Sequence, residues 1–289
     1  MKHNLKAIVI ILALFFVAQI VGLAVTSAYI SEPELPLNIE RPIVTEEQKS
    51  FTFIPIVIFI LLATGIVLLL FKFGFLKLWK YWFLLSVWFT LTISFNAFIA
   101  EKIAIFLALV FALWKVFKNN VYVHNFTEVF IYGALAAIFA PILNITSGII
   151  LLLFISLYDY IAVRKTKHMV TLAESQNKTK LFAGLMLPYK KGKKTKVIAK
   201  TASKIITKKT KISVAILGGG DIGFPLLFAG IVMRELQLSL FSFKVFIIPI
   251  CAAIALFSLF YFGKDKKYYP AMPYITTGCL IGYLLVYLL

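Results

Sequence analysis

Residues 146–163 read TSGIILLLFISLYDYIAV, eighteen positions carrying one charge, Asp159, five residues before Arg164. A run of this length and apolarity suits the roughly 20 residues needed to cross the hydrocarbon core of a bilayer. An ionisable group inside it is costly there and marks function. Working outward, runs of similar character occupy 7–30, 51–71, 81–100, 103–118, 126–143, 212–233, 237–262 and 270–289. Pro141, Asn144 and Gly148 separate 126–143 from 146–163 with a tight turn. The 289 residues are 61% hydrophobic and 15% charged, with a mean hydropathy of +0.94. That is too little polar chain to cover an aqueous fold of this size. Soluble globular, disordered and small disulfide-stapled classes are excluded. The reading is an all-α polytopic membrane protein of nine transmembrane helices.

The first run follows Lys2 and Lys6, as in a signal peptide. It is longer than a signal-peptide core, and Thr26-Ser27-Ala28 is a poor cleavage site, so a retained helix is expected. The charges then choose the orientation. With the N-terminus inside, 25 of the 30 Lys and Arg fall in inner segments, leaving Arg41, Lys49, Lys102, Arg234 and Lys244 outside. Cytoplasmic loops collect Lys and Arg, so the N-terminus is read as cytoplasmic and the C-terminus as outside.

Three regions follow: an N-terminal membrane half, 1–163, of six helices; a basic, mobile cytoplasmic loop, 164–211; and a C-terminal membrane half, 212–289, of three helices. The formal charge of +18 is concentrated in the loop, which includes Lys190-Lys191-Gly192-Lys193-Lys194. Beside a membrane that charge fits anionic headgroups of the lipid bilayer, and no nucleic-acid-binding fold accompanies it. The apolar patch Leu181 to Pro188 is read as dipping into the interface. Cys251 and Cys279 sit in apolar runs as packing residues.

Of the 12 acidic residues, ten are read as loop or helix-end residues. Asp159 and Asp221 lie in apolar runs on consecutive helices. Their offsets from Arg164 and Lys211 are about 8 and 15 Å at a helical rise, less different if the chain before Gly218 is not fully helical. Two carboxyls in a low-dielectric site cannot both ionise cheaply, so they share a proton. One then serves as a base for water and the other as an acid for the carbonyl or leaving group. Two other readings stay open: each Asp bonds a neighbouring helix, or the pair serves a proton- or ion-coupled channel or transporter. Gly218-Gly219-Gly220 beside Asp221 permits close backbone approach and exposes backbone to a ligand. Pro270-Ala271-Met272-Pro273, at the inner end of the last run, makes a stiff, partly unsatisfied backbone near the depth of the two acids.

Tyr158-Asp159, Gly218-Gly219-Gly220-Asp221 and Pro270-Ala271-Met272-Pro273 together resemble the YD, GxGD and PAL motifs of the presenilin and signal peptide peptidase family. The family carries them on helices six, seven and nine of nine, as in the count above. The resemblance implies an intramembrane aspartyl protease with Asp159 and Asp221 as the catalytic pair and transmembrane helices of other proteins as substrates. It implies that Tyr158, Tyr160, Leu217 and the three glycines shape the site. Pro270, Ala271, Met272 and Pro273 would border it and help hold an unwound substrate strand. Met272 stands where the family has Leu, a swap that conserves volume and apolarity, so activity is expected to survive.

The inner placement of 164–211 matches presenilins rather than the inverted signal peptide peptidases. The compact chain looks most like an archaeal presenilin homologue of the cell membrane, working without partner subunits. No cofactor or metal is expected: HExxH is absent, and His3, His124 and His168 are read as loop or terminal residues. No GxSG-type serine motif occurs. Prepilin peptidases share a GxGD aspartate but have fewer helices and no PAL-like motif. A non-catalytic scaffold would tolerate loss of both aspartates. Asn144-Ile145-Thr146 fits a glycosylation sequon on the outer face, too near the membrane for use.

Overall fold

The computed structural model describes residues 5–30, 32, 34–40, 42, 44–118, 120–165, 181–190, 212–263 and 269–289. Nine helices of 17 to 25 residues occur among them. They are α1 (Leu5–Tyr29), α2 (Phe53–Lys72), α3 (Leu76–Asn96), α4 (Glu101–Phe117), α5 (Val121–Phe139), α6 (Ile145–Arg164), α7 (Gly219–Glu235), α8 (Lys244–Phe262) and α9 (Met272–Leu288). Two strands, β1 (Gly184–Lys190) and β2 (Ile212–Gly218), pair antiparallel between α6 and α7. A one-turn helix, Glu46–Lys49, precedes α2. Five helical stretches are long and apolar enough to cross a bilayer: α1, α2, α5 with its following turn, α6 and α8.

The boundaries have local causes. Asn120 caps α5, its side chain accepting from the Tyr122 and Val123 N–H groups. Asn144 caps α6 in a reciprocal box with Ser147 and also donates to Ser50 Oγ at 2.9 Å. The sequon asparagine is therefore engaged as a cap. Between these helices Pro141 sits in a tight turn, Ala140–Ile142, whose carbonyl end is held by Arg234: its guanidinium donates to the Pro141 and Leu143 carbonyls.

α7 lies at the centre. Every residue from Pro225 to Met233 is buried, as expected for a helix surrounded on all sides. It contacts α1, α5, α6, α8 and α9. From α1, Phe15, Ala18 and Leu23 are wholly buried in the same core. At the other extreme, α2 buries only Val57 and presents Phe59, Leu62 and Leu69 outward, a composition suited to lipid. α9 packs on α8 through Gly278 and Gly282, four residues apart. A Cβ at these positions would lie 2.6 Å from the Cys251 carbonyl oxygen and 2.8 Å from Ile248 Cα. Small residues at that spacing let two helices approach to backbone contact. Cys251 and Cys279 are free thiols at this seam.

Four sequence expectations are corrected. The run 212–233 is not one helix: its first seven residues form β2. Ile212-Ser213-Val214-Ala215-Ile216-Leu217 is mostly apolar, with β-branched Ile212, Val214 and Ile216, and a short apolar run cannot be assigned by periodicity alone. Helical depth from Lys211 therefore does not apply to Asp221. The run 237–262 becomes helical only from Lys244, after turns at Leu236–Phe243. Within 164–211, residues 181–190 are ordered: Leu181, Phe182 and Leu185 are buried and 184–190 form β1. Finally, His124 is a buried residue of α5 rather than a loop residue. The headgroup contact expected of the rest of the basic loop, including Lys191–Lys194, lies outside the described residues.

Candidate active site

Asp159 stands near the C-terminal end of α6, 8% exposed. Its Oδ2 accepts the Met272 N–H at 3.1 Å, and the Ala271 N–H also bonds the carboxyl. Ala271 and Met272 are the cap and first residue of α9, whose leading N–H groups have no side-chain cap of their own. Asp159 thus caps α9 from another helix, with its charge at the positive end of the dipole. Pro273, in the first turn of α9, leaves one fewer N–H to satisfy there.

Asp221 is the third residue of α7, with Gly218 as cap. Its carboxyl takes the Gly218 N–H, one half of a capping box. The glycine run places it there. A Cβ on Gly219 would lie 2.6 Å from Tyr132 Oη, so only glycine lets α5 and the start of α7 meet. Gly220 is exposed, and a Cβ there would meet nothing closer than Phe224 at 3.5 Å; its backbone stays open. Pro225 removes the N–H that would bond the Asp221 carbonyl, and Gln19 of α1 donates to the next carbonyl, Ile222, at 2.9 Å. α6 and α7, which carry the two acids, pack against one another.

The three motifs anticipated in sequence divide into two faces. Asp159, Ala271 and Met272 meet on the core side, where Met272 is 3% exposed, and Asp221 follows Gly218–Gly220. Tyr158 is half-buried beside Asp159. Tyr160 is exposed, its ring under the Arg164 guanidinium at 5.7 Å. With Pro270 and Pro273 it lines a groove of about 660 Å³ between α6, α8 and α9. Leu217 is 2% exposed and packs in the same core as Met272.

Sequence reading missed a buried polar cluster on the other flank of the glycines. Glu128, assigned with the loop and helix-end acids, is a buried residue of α5, 1% exposed. Its Oε1 lies 2.5 Å from Lys115 Nζ of α4, and Lys115 also donates to Thr127 at 3.0 Å. Lys115, counted among the inner-loop charges, is likewise buried. The Tyr132 hydroxyl donates to Glu128 Oε2, which also accepts the Gly184 N–H at 2.8 Å. The available signal was an opposite-charge pair in consecutive apolar runs. Gly184 itself has φ +140°, and a Cβ would fall 2.2 Å from the Leu217 carbonyl oxygen. Gly184→Ala is expected to destabilise by about 1–3 kcal/mol through backbone strain and displacement of β2, read as a lowered Tm in detergent.

Comparison with known proteins agrees with this arrangement. The family profile "Signal-peptide peptidase, presenilin aspartyl protease" matches residues 12–289. Two solved structures of a presenilin family intramembrane aspartate protease, in space groups C222 and P2, share the fold. The first has a TM-score of 0.64 and 18% identity, covering 97% of this chain and 98% of that one. The second has a TM-score of 0.60 and 16% identity, covering 96% of each. A search of curated proteins finds no match. The chain belongs to the signal-peptide peptidase and presenilin family, and is an integral-membrane hydrolase of the intramembrane aspartyl protease type.

Proposed function

We propose that Asp159 and Asp221 are the catalytic dyad and that they hydrolyse a peptide bond in a transmembrane segment of another protein. The observation that carries the reading is that the helices bearing the two acids, α6 and α7, pack against one another. One acid is tied to the Ala271–Met272 backbone, and the other is held in the first turn after a strand. With one proton shared between them, the ionised carboxylate removes a proton from water as its oxygen attacks the scissile carbonyl carbon. The protonated partner donates to the carbonyl oxygen, giving a tetrahedral gem-diol. Collapse breaks the C–N bond as the protonated carboxyl gives its proton to the leaving nitrogen and the ionised one takes a proton from a gem-diol hydroxyl, which leaves a carboxyl product, a free amine and one proton on the dyad again. Neither Asp nor the chain is changed at the end of the cycle.

Substrate is held by strand addition to β2. Among the outward backbone groups of β1, those of Gly184 and Met186 are bonded to α5. In an antiparallel pair, residues directly opposite share their hydrogen-bonding sense. Ile216 and Val214, opposite Met186 and Pro188, therefore point their backbone groups outward on the other edge. Pro188 loses no ladder bond at such a position. An open edge in a membrane protein needs a partner, and an unwound substrate segment supplies one. Nine membrane crossings with the N-terminus inside remain the topology that the helix count and charge distribution favour. Substrate helices and bilayer lipid are the partners proposed, with no obligatory subunit.

The test is cleavage of a single-span peptide by the solubilised protein, beside Asp159→Asn and beside proton and cation flux through reconstituted vesicles. Cleavage by wild type alone, without flux, is expected. Flux lost on Asp159→Asn, with no cleavage by any form, would move the two acids to a channel or transporter.

A further inference from the structure

α5 stands where a third strand would lie. Asn125 makes the pair of bonds that a neighbouring strand would make to Met186: its Nδ2 donates to the Met186 carbonyl at 2.8 Å, and its Oδ1 accepts the Met186 N–H at 3.0 Å. Its chain neighbour His124 has Nε2 2.7 Å from the Gly184 carbonyl oxygen, and Glu128, about one turn on, accepts the Gly184 N–H. Alternate residues of β1 thus have their outward backbone groups satisfied by side chains of one helix, which leaves the opposite edge, β2, as the one open to addition.

The same helix reaches the glycine turn. Tyr132, one turn beyond Glu128 and 4% exposed, packs its ring and hydroxyl against Gly219 and approaches Gly223, whose Cβ would be 3.4 Å from Tyr132 Cδ1. Its hydroxyl is oriented by Glu128, and Glu128 is fixed by Lys115. A buried carboxylate with three partners has one orientation available, since swinging away would strand a charge in apolar surroundings.

Resting on the protease reading above, we infer that His124, Asn125, Glu128 and Tyr132, anchored by Lys115, are positioning residues: the first three set the β1–β2 hairpin for the substrate strand, and Tyr132 sets the turn that carries Asp221. None of them touches the reacting atoms. The division of labour predicts different kinetic signatures. Asn125→Leu frees the edge of β1 and loosens the hairpin without disturbing the glycine turn. Tyr132→Phe keeps the ring but removes the hydroxyl that holds its tip between Glu128 and Gly219.

Both variants are tested in detergent on a single-span model peptide, with folded protein quantified by thermal unfolding and backbone exchange followed by mass spectrometry over 181–190 and 212–218. Asn125→Leu is expected to raise KM roughly tenfold with kcat within about twofold, and to speed exchange in both strands. Tyr132→Phe is expected to lower kcat roughly tenfold with KM within about twofold. Wild-type kcat, KM and exchange in the folded fraction of both variants would overturn the inference. If wild type cleaves nothing, the protease reading fails and exchange alone decides: faster exchange in Asn125→Leu upholds the clamp on the hairpin, and unchanged exchange overturns it.

Discussion

Asp221→Asn is expected to reduce cleavage by about 10³-fold or more while leaving Tm close to wild type. A carboxyl acting as acid and base in turn supplies that order of acceleration, and an amide of the same shape can neither take a proton from water nor hand one back. Folding is spared because the demand on Asp221 in the resting protein is light: its side-chain oxygen accepts the Gly218 N–H, which an asparagine oxygen accepts equally well. Asp159→Ala should look different. It abolishes cleavage to the same extent, but it also leaves the Ala271 and Met272 N–H groups at the start of α9 without their acceptor. Removing an acceptor from buried donors costs about 1–3 kcal/mol, so a Tm drop should accompany the loss of activity. Asp159→Asn restores most of the stability and none of the activity. Cleavage by wild type across pH should follow a bell, because both fully protonated and fully ionised dyads are inactive. Residual cleavage in either Asp→Asn variant would remove the dyad assignment.

Lys115→Met is expected to have the largest effect on stability. The Lys115 and Glu128 side chains are each 1% exposed and their charged atoms lie 2.5 Å apart. Removing one partner of a buried ion pair strands the other charge, at a cost of about 3–5 kcal/mol. Lys115→Met combined with Glu128→Gln should be milder than Lys115→Met alone, since no buried charge is left. Denaturant titrations of the two single variants and the double variant in mixed micelles give the coupling between the sites. A double variant whose loss equals the sum of the two single losses would show that the pair is not coupled.

The contrast between the two predictions follows how each group could be seen in advance. Asp159 and Asp221 stood out because their neighbours in the chain are apolar, and the cost of an isolated charge at membrane depth is a property of the local run. Lys115 and Glu128 have apolar neighbours too, but each lies near the end of its run, where charges are ordinary. Nothing in either run says that the two side chains meet across α4 and α5. Tyr132 and Asn125 carry even less signal, since a tyrosine or an asparagine in an apolar helix is common, and what each meets here, Gly219 for Tyr132 and the Met186 backbone for Asn125, lies far along the chain. Helix positions were legible for the same reason as the acids: a run long enough for a bilayer leaves few alternatives. The ends are less so: 237–243 reads as helix in the sequence and forms turns in the fold, because apolar composition does not distinguish a turn from a first helical turn.

The chain's own chemistry therefore determined the membrane class, the approximate places of the long helices, and the two acids with their glycine and proline companions. Each of these depends on residues close together in sequence: apolar length, a charge without a local excuse, a glycine run, a proline pair. Only the tertiary structure decided that 212–218 is extended, since a short, mostly apolar run satisfies either helix or strand until another strand offers its hydrogen bonds. Only it decided that Asp159 caps α9, that Tyr160 is exposed beneath Arg164 while Leu217 is buried, and that α5 completes the sheet. Those outcomes belong to contacts between residues tens to more than a hundred positions apart, where the partner that satisfies a backbone group or a charge is chosen by packing.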